Sequence, residues 1–187
     1  MSKLITNAIK HTGASSDNIV LNSNGTTAIT GHIIQTTYAQ YKTQNSVAGD
    51  AYTDSGLTGN ITTASASNKV LVRVCLNVAG DGADRYTVSG RLYRGGSHVT
   101  DASASDNGSR PGTWFTVGAH PWTNYVRYNV YAEYLDSPGS AATHQYKVYL
   151  RDHRNNDTVH INRAYYDADS ASTPVGTSSI TLQEIVA

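Results

Sequence analysis

The stretch Val70-Leu71-Val72-Arg73-Val74-Cys75-Leu76-Asn77-Val78 decides the fold class of this chain. Its aliphatic residues recur at every second position, which is the period of a β-strand with one buried face. Arg73 and Asn77 fall between them, so they belong to the opposite side of the strand. The segment therefore predicts a strand that has a core face and a second, more polar face.

The same alternation recurs from about residue 31 onward. We expect further strands at 33–41, 57–63, 86–93, 113–118, 126–135, 145–151, 158–163 and 179–186. The connectors are rich in the residues that favour turns, and Gly90 inside the strand at 86–93 suggests a β-bulge. No window keeps apolar residues at helical spacing for more than one turn. This pattern predicts an all-β chain with the fold of an antiparallel β-sandwich or jelly roll.

The composition is that of a weakly charged protein. Charged residues make up 15% of the 187 residues, against about 25% in typical soluble domains, and 14 basic residues balance 14 acidic ones. No strong field favours nucleic acid or an anionic membrane, and no apolar run is long enough for a spanning helix. The N-terminus lacks the apolar segment of a secretory signal. We expect folding in a cytoplasm, no nucleic-acid partner and no membrane insertion.

The residues that usually carry chemistry form no recognised set. The seven histidines show neither H-x-H nor H-x-x-x-H spacing, and the single Cys75 cannot complete a zinc site or an internal disulfide. Asp152 and His153 are neighbours in a strand, so their side chains should point to opposite faces. No nucleophile-elbow or phosphate-binding motif occurs. The sequence predicts a protein that is not an enzyme and has no metal and no cofactor.

The polar sides of the late strands carry tyrosines together with charged residues. Tyr and Arg are enriched where surfaces are buried between chains, and a sandwich that closes around a symmetry axis also shields its edges. A solvated face with scattered tyrosines is the alternative. We expect a subunit interface in which Arg127, Lys147 and Arg151 are the available partners of Glu133. The candidate interface residues are Tyr93, Arg127, Tyr131, Glu133, Leu135, Lys147, Tyr149 and Arg151.

The segment 95–124 contains both tryptophans, Trp114 and Trp122. Two interpretations stay open. The tryptophans belong to the core at one end of the sandwich, or they are exposed and form a stacking platform for a sugar ring or a partner protein. In the second case the candidate ligand-binding residues are Trp114, His120 and Trp122.

Six stretches follow one another along the chain: GHIIQ at 31–35, YTDSGLTGNITTASASNKVLVRV at 52–74, RLYRGG at 91–96, YLDSPGSAATHQYKVYLR at 134–151, VHINRAYYD at 159–167 and TSSITLQEI at 177–185. In this order and spacing they resemble a family of tailed-phage virion proteins, common in phages of marine bacteria and usually described as tail-fibre or structural proteins. The resemblance spans residues 31–187, and SSITLQEI is its most specific part.

The resemblance implies a homotrimeric jelly-roll domain at 31–187, similar in architecture to knobs of the tumour-necrosis-factor type. It implies a structural protein on the head, collar or tail of a virion assembled in the host cytoplasm, and it carries over no catalytic residue. A module that binds a host glycan or receptor through the loops at 95–124 is the alternative. A polysaccharide depolymerase is the third hypothesis, disfavoured because the chain leaves little room for a catalytic body.

Residues 1–30 are rich in Ser, Thr, Asn and Gly and cannot build a core alone. They are similar to the attachment arms of phage appendages, although a disordered terminus is the alternative. We expect two short strands, 18–22 and 26–30, around a turn. Such an arm would contact neighbouring subunits or other capsid, collar or tail proteins. Its candidate contact residues are Leu4, Ile5, Ile19, Leu21 and Ile29.

Overall fold

The computed structural model describes residues 8–9, 12–13, 19–21, 27–49, 51–80, 87–118, 126–153 and 158–187. In chain order the strands are β1 (Ala8–Ile9), β2 (Ile19–Leu21), β3 (Thr27–Ala28), β4 (Ile33–Tyr41), β5 (Asn45–Ala48), β6 (Thr53–Thr62), β7 (Lys69–Gly80), β8 (Thr87–Arg94), β9 (Ser97–His98), β10 (Phe115–Gly118), β11 (Tyr128–Asp136), β12 (Thr143–Asp152), β13 (Thr158–Ile161) and β14 (Ser178–Ile185). A single 3-10 turn, Thr100–Ala102, follows β9. In this part of the chain no helix is long and apolar enough to cross a membrane.

Two antiparallel sheets pack face to face around the core. The larger sheet has the order β4-β14-β7-β13-β5, and β11 pairs with the other edge of β7. The smaller sheet has the order β10-β8-β12-β6, with the short β9 also paired to β8. The strands β1, β2 and β3 form a separate three-stranded antiparallel sheet, and β2 and β3 match the two strands expected in the leader. The prediction of an all-β antiparallel sandwich is confirmed.

The core lies between the inner faces of these two sheets. The alternating aliphatic residues of β7 are all buried, at 3% exposure or less, as their period of two predicts. The smaller sheet opposes them with side chains from β6, β8 and β12. This facing set is Leu57, Ile61, Val88, Leu92, Tyr146, Val148 and Leu150. Each such side chain contributes on the order of 1.5–3 kcal/mol by leaving water, which explains why the strand faces are so regular.

The expected bulge at Gly90 is wrong. Strand β8 pairs in unbroken register with β10 and with β12 across this position. Gly90 instead makes room for the ring of Phe115, because a Cβ there would lie 2.1 Å from Phe115 Cζ. The irregularity of this sheet lies in the pairing of β12 with β6, between Lys147 and Tyr149.

Candidate interaction surfaces

The predicted interface residues lie on opposite sides of the sandwich, some on the exterior of the larger sheet and some on the exterior of the smaller sheet. Tyr131, Glu133 and Leu135 alternate with inward residues of β11 and project from the larger sheet. The smaller sheet carries the others that lie in strands, on β8 and β12, in the rows that face away from the core. These are Tyr93, Lys147, Tyr149 and Arg151. Since the exteriors of the two sheets point away from each other, one flat contact cannot bury both the residues on the larger sheet and those on the smaller sheet.

The expected partners of Glu133 are also wrong. Its carboxylate pairs with Arg73 of the neighbouring strand at 3.3 Å. Lys147 pairs with Asp54 at 2.7 Å, and this hydrogen bond raises the pKa of Lys147. The Arg127 guanidinium donates to the backbone carbonyl of Pro174.

The exterior of the larger sheet, which we call the outer face, exposes large apolar side chains on β11 and β4, with β7 and β14 between these two strands. Tyr131 of β11 is 76% exposed, Tyr38 of β4 is 63% exposed, and Leu135 is 42% exposed. Between the two tyrosine-bearing strands lies the ion pair of Arg73 with Glu133, in the same row as Tyr38. Because this pair is neutral overall, the outer face combines apolar area with little net charge.

On the smaller sheet, the aromatic side chains contact one another. The rings of Tyr93 and Tyr149 stack with centroids 3.8 Å apart and planes inclined by 18°. The imidazole of His98 lies against the other side of this group, 5.6 Å from the centroid of Tyr93. The stacked rings bury apolar area against each other. These tyrosines are therefore half-buried by their own chain.

Next to this stack, two arginines share one tyrosine ring. The guanidinium carbon of Arg91 lies 4.2 Å from the ring centroid of Tyr52, and that of Arg151 lies 5.9 Å from it. Such cation–π contacts are favourable, but they bring two like charges close together. We call Arg91 and Arg151 the arginine pair.

A short hydrogen-bond chain holds Tyr52 in place under the arginine pair. Its hydroxyl lies 3.0 Å from the Ser89 hydroxyl, which in turn lies 2.5 Å from His153 Nε2. Ser89 is completely buried, so this hydroxyl is a structural partner of the ring and of the imidazole. Burial, followed by the charges of Arg151 and Arg91, lowers the pKa of His153.

A polar cleft of about 520 Å³ adjoins the arginine pair. Arg91 lines it, and donates from Nε and a terminal nitrogen to the carbonyl of Gly112, at 3.1 and 2.9 Å. Asp106 accepts from the Gly112 N–H at 2.6 Å, which fixes the loop that forms one wall. The remaining lining residues are mostly polar: His98, Thr100, Asp101, Ser103, Ala104 and Ser105.

Of the predicted ligand-loop residues, the structure describes Trp114, while His120 and Trp122 lie outside the described residues. Trp114 is half-buried and packs against the core, and its indole N–H donates to the carbonyl of Glu133 at 3.2 Å. This contact agrees with the interpretation that Trp114 belongs to the core at one end of the sandwich.

The candidate arm residues are described only in part. Leu4 and Ile5 lie outside the described residues. Ile19 and Leu21 are the first and last residues of β2, whose side chains are not among those the structure describes. Ile29 follows β3, is half-buried, and accepts a hydrogen bond at its carbonyl from the His32 N–H at 2.9 Å.

Within the described ranges, no group of three or more His, Cys, Asp and Glu side chains could hold a metal ion. Cys75 is a free, half-buried thiol on the outward side of β7.

No protein-family model matches the chain. No curated protein matches it either. Among solved structures it is similar to a mutant VP2 protein of infectious bursal disease virus in derived T=1 particles, with 10% identity, a TM-score of 0.37, and coverage of 96% of this chain and 41% of that one. The VP2 subviral particle of the same virus shows 9% identity, a TM-score of 0.34, and coverage of 96% and 43%. The chain thus spans less than half the length of these VP2 chains, and nothing about its activity or partners follows from the likeness.

Proposed function

We propose that this chain is a structural protein of a virus particle and that it assembles with copies of itself through the outer face. The observation that carries the proposal is the exposure of Tyr131 and Leu135 on β11 and of Tyr38 on β4, on one face of the same sheet. The resemblance of residues 31–187 to phage virion proteins supports the placement in a virion. The proposed assembly is a homotrimer displayed on the particle, with residues 1–30 contacting other virion proteins.

The outer face offers most of the area that a stable contact needs. Four strands about 4.8 Å apart and roughly 30 Å long offer on the order of 600 Å², and a standard interface takes about 800 Å² from each partner. Isolated exposed apolar residues are ordinary, but tyrosines together with arginine on one sheet face are the residues enriched at contact sites. The loops around the sheet can supply the remaining area.

The charge on the outer face is compatible with burial. Arg73 and Glu133 neutralise each other at 3.3 Å, and Arg73 also donates to Gln183 Oε1 at 3.2 Å. A paired arginine is the kind of charge that interfaces tolerate, whereas an unpaired one would be costly to bury. The tyrosines around it supply the large, rigid contacts on which binding energy concentrates.

Light scattering on the purified full chain tests the assembly. We expect a mass near three times the 20.0 kDa of one chain. A mass of one chain at micromolar protein concentration would contradict the proposal, because the outer face would then be left open to solvent.

Deletion of residues 1–30 tests the proposed attachment arm. The shortened chain should keep its oligomeric mass and no longer enter virus particles, since the core formed by the described residues draws on β5 to β14. Normal incorporation of the shortened chain would contradict the role of the arm. We assign no catalytic activity to the protein, and release of reducing sugar from host polysaccharide would contradict that assignment.

A further inference from the structure

We propose that the arginine pair, Tyr52 and the adjoining cleft form a binding site for acidic saccharides. The guanidinium groups would hold a carboxylate or sulfate group of the ligand, and the cleft would hold its hydroxyl groups. This site deepens the glycan-binding alternative and places it on β8, β12 and the residue before β6. It does not depend on self-association, because it lies on the opposite side of the sandwich from the outer face.

Within the described residues, the buried Nε of Arg151 has no acceptor. This nitrogen is shielded from solvent and makes no hydrogen bond within the part of the chain that the structure describes. The ion pairs of that part also include neither Arg151 nor Arg91. A buried guanidinium donor is normally paired, and natural proteins leave such groups open mainly at functional sites. The missing partner is an acceptor, and the strongest acceptor for a guanidinium is an oxyanion.

Two like charges, those of Arg91 and Arg151, lie close together over the ring of Tyr52. Both guanidinium groups lie within 6 Å of the centre of one ring, and the ring is anchored through its hydroxyl to the buried Ser89. An oxyanion between Arg91 and Arg151 would reduce their repulsion. It could accept from the Arg151 guanidinium and from the terminal N–H groups of Arg91 that do not hold the Gly112 carbonyl. Because the support is already in place, little ordering is needed on binding.

The cleft that Arg91 lines is polar. Its wall provides hydroxyl groups from Thr100 and Ser103 and carboxylates from Asp101 and Asp106. Carboxylates accept hydrogen bonds from sugar hydroxyls but repel a second anion, so the cleft fits the neutral part of an acidic sugar. A nucleic-acid backbone would instead place several phosphates along the surface, and the balanced net charge does not favour it.

Calorimetric titration of the full chain with three probes tests the site. The probes are oligogalacturonate, sulfated dextran oligomers and neutral galactose oligomers. We expect one or both anionic probes to bind, with affinity falling as salt rises from about 0.05 to about 0.5 M, and the neutral probe not to bind. The stronger anionic probe identifies carboxylate or sulfate as the recognised group. Absence of binding by both anionic probes would overturn the proposal.

Variants locate the binding. Arg151→Gln should weaken the anionic probe about tenfold or more, whereas Lys42→Gln, which removes one charge from an exposed position after β4, should leave it unchanged. Arg151→Lys keeps the charge without the fork and should show an intermediate loss, which guards against a folding defect in the glutamine variant. Equal binding by the wild type and Arg151→Gln would overturn the site. If Arg151→Gln lowered the oligomeric mass but left the affinity for the anionic probe unchanged, the site would also be overturned. The acceptor for Arg151 would then lie on a second copy of the chain.

Discussion

The phenol of Tyr146 donates a hydrogen bond of 2.6 Å to Asp136 Oδ2, and this bond joins the two sheets through the core. Tyr146 lies in β12 of the smaller sheet, whereas Asp136 is the last residue of β11 in the larger sheet. Arg94 of β8 forms an ion pair with the same carboxylate oxygen. Both Tyr146 and Asp136 are buried, so each member of this group depends on the others for its polar partner.

Tyr146→Phe should lower the free energy of unfolding by about 1.5–3 kcal/mol, the usual range for a hydrogen bond to a charged group. The substitution keeps the ring in the core and removes only the donor. Urea denaturation measures the change. Tyr149→Phe is the matched control, because that ring stacks on Tyr93 at the surface, and its loss should be well below that of Tyr146→Phe. Equal losses at the two positions would contradict a special role for the buried bond.

The same bond predicts how stability depends on alkaline pH. Burial, and then the hydrogen bond to Asp136, raises the pKa of Tyr146 above its ordinary value of 10.0. A raised pKa means that folding favours the protonated phenol, so this stabilisation is complete below pH 10 and is lost as the pH rises further. The free energy of unfolding of the wild type should therefore fall more steeply above that pH than that of Tyr146→Phe. Parallel pH curves, measured by urea denaturation, would contradict the assignment.

Gly90→Ala should destabilise the smaller sheet, because the new methyl group would meet the ring of Phe115. Overpacking of this kind costs about 1–3 kcal/mol. Gly118→Ala, at the end of the same strand as Phe115, meets nothing within 4 Å and is the matched control. Thermal unfolding should show a clear loss for the first variant and almost none for the second. Combining Gly90→Ala with Phe115→Ala should recover part of the loss, and a simple sum of the two losses would contradict the contact.

Tyr38→Asp combined with Tyr131→Asp should reduce the oligomeric mass of the full chain, because both substitutions place charges on the outer face that a partner would have to bury. The two side chains are highly exposed, so the monomer should keep its stability. Light scattering reports the mass, and circular dichroism reports the fold. Tyr166→Asp, at a position 49% exposed in the connection after β13, is the matched control and should keep the wild-type mass. An unchanged mass in the double variant would place the contact elsewhere.

The strands could be predicted from the sequence because alternation is a local signal. Residues 33–41 were assigned to their strand with both ends correct, and β7 and β12 were placed with small errors at their ends. The strand β5 is absent from the predicted set, since Val47 is its one buried residue and only the small Ala48 adds to its apolar character. A single apolar residue gives no period to read.

The surfaces could not be predicted as well, because they depend on which strands share a sheet. Glu133 pairs with Arg73, 60 positions earlier, since β11 lies beside β7. The arginine pair meets Tyr52 only because β12 lies between β6 and β8. Alternation tells which residues share a face of one strand, but the order of strands is a property of the whole chain. Tyr38 is absent from the predicted interface residues for the same reason, because its strand, β4, lies three places from β11 in the sheet.

Glu184 offers a last prediction, within the stretch SSITLQEI that gave the family resemblance its most specific part. The residue is 1% exposed, and its Oε1 accepts from the Ala64 N–H at 2.6 Å and from Asn68 Nδ2 at 2.7 Å. It thereby ties β14 to the connection between β6 and β7. Glu184→Ala would leave two donors unpaired and should lower the free energy of unfolding by about 2–4 kcal/mol.

The matched variant is Glu184→Gln, which keeps a side-chain oxygen in the same place but removes the charge. It should lose clearly less than Glu184→Ala, because both donors can still be satisfied by the amide oxygen. Urea denaturation of the two variants measures the difference, and hydrogen exchange at the Ala64 amide shows whether the connection opens locally. Equal losses with unchanged exchange would mean that the volume of this side chain, and not its acceptor oxygen, holds the connection in place.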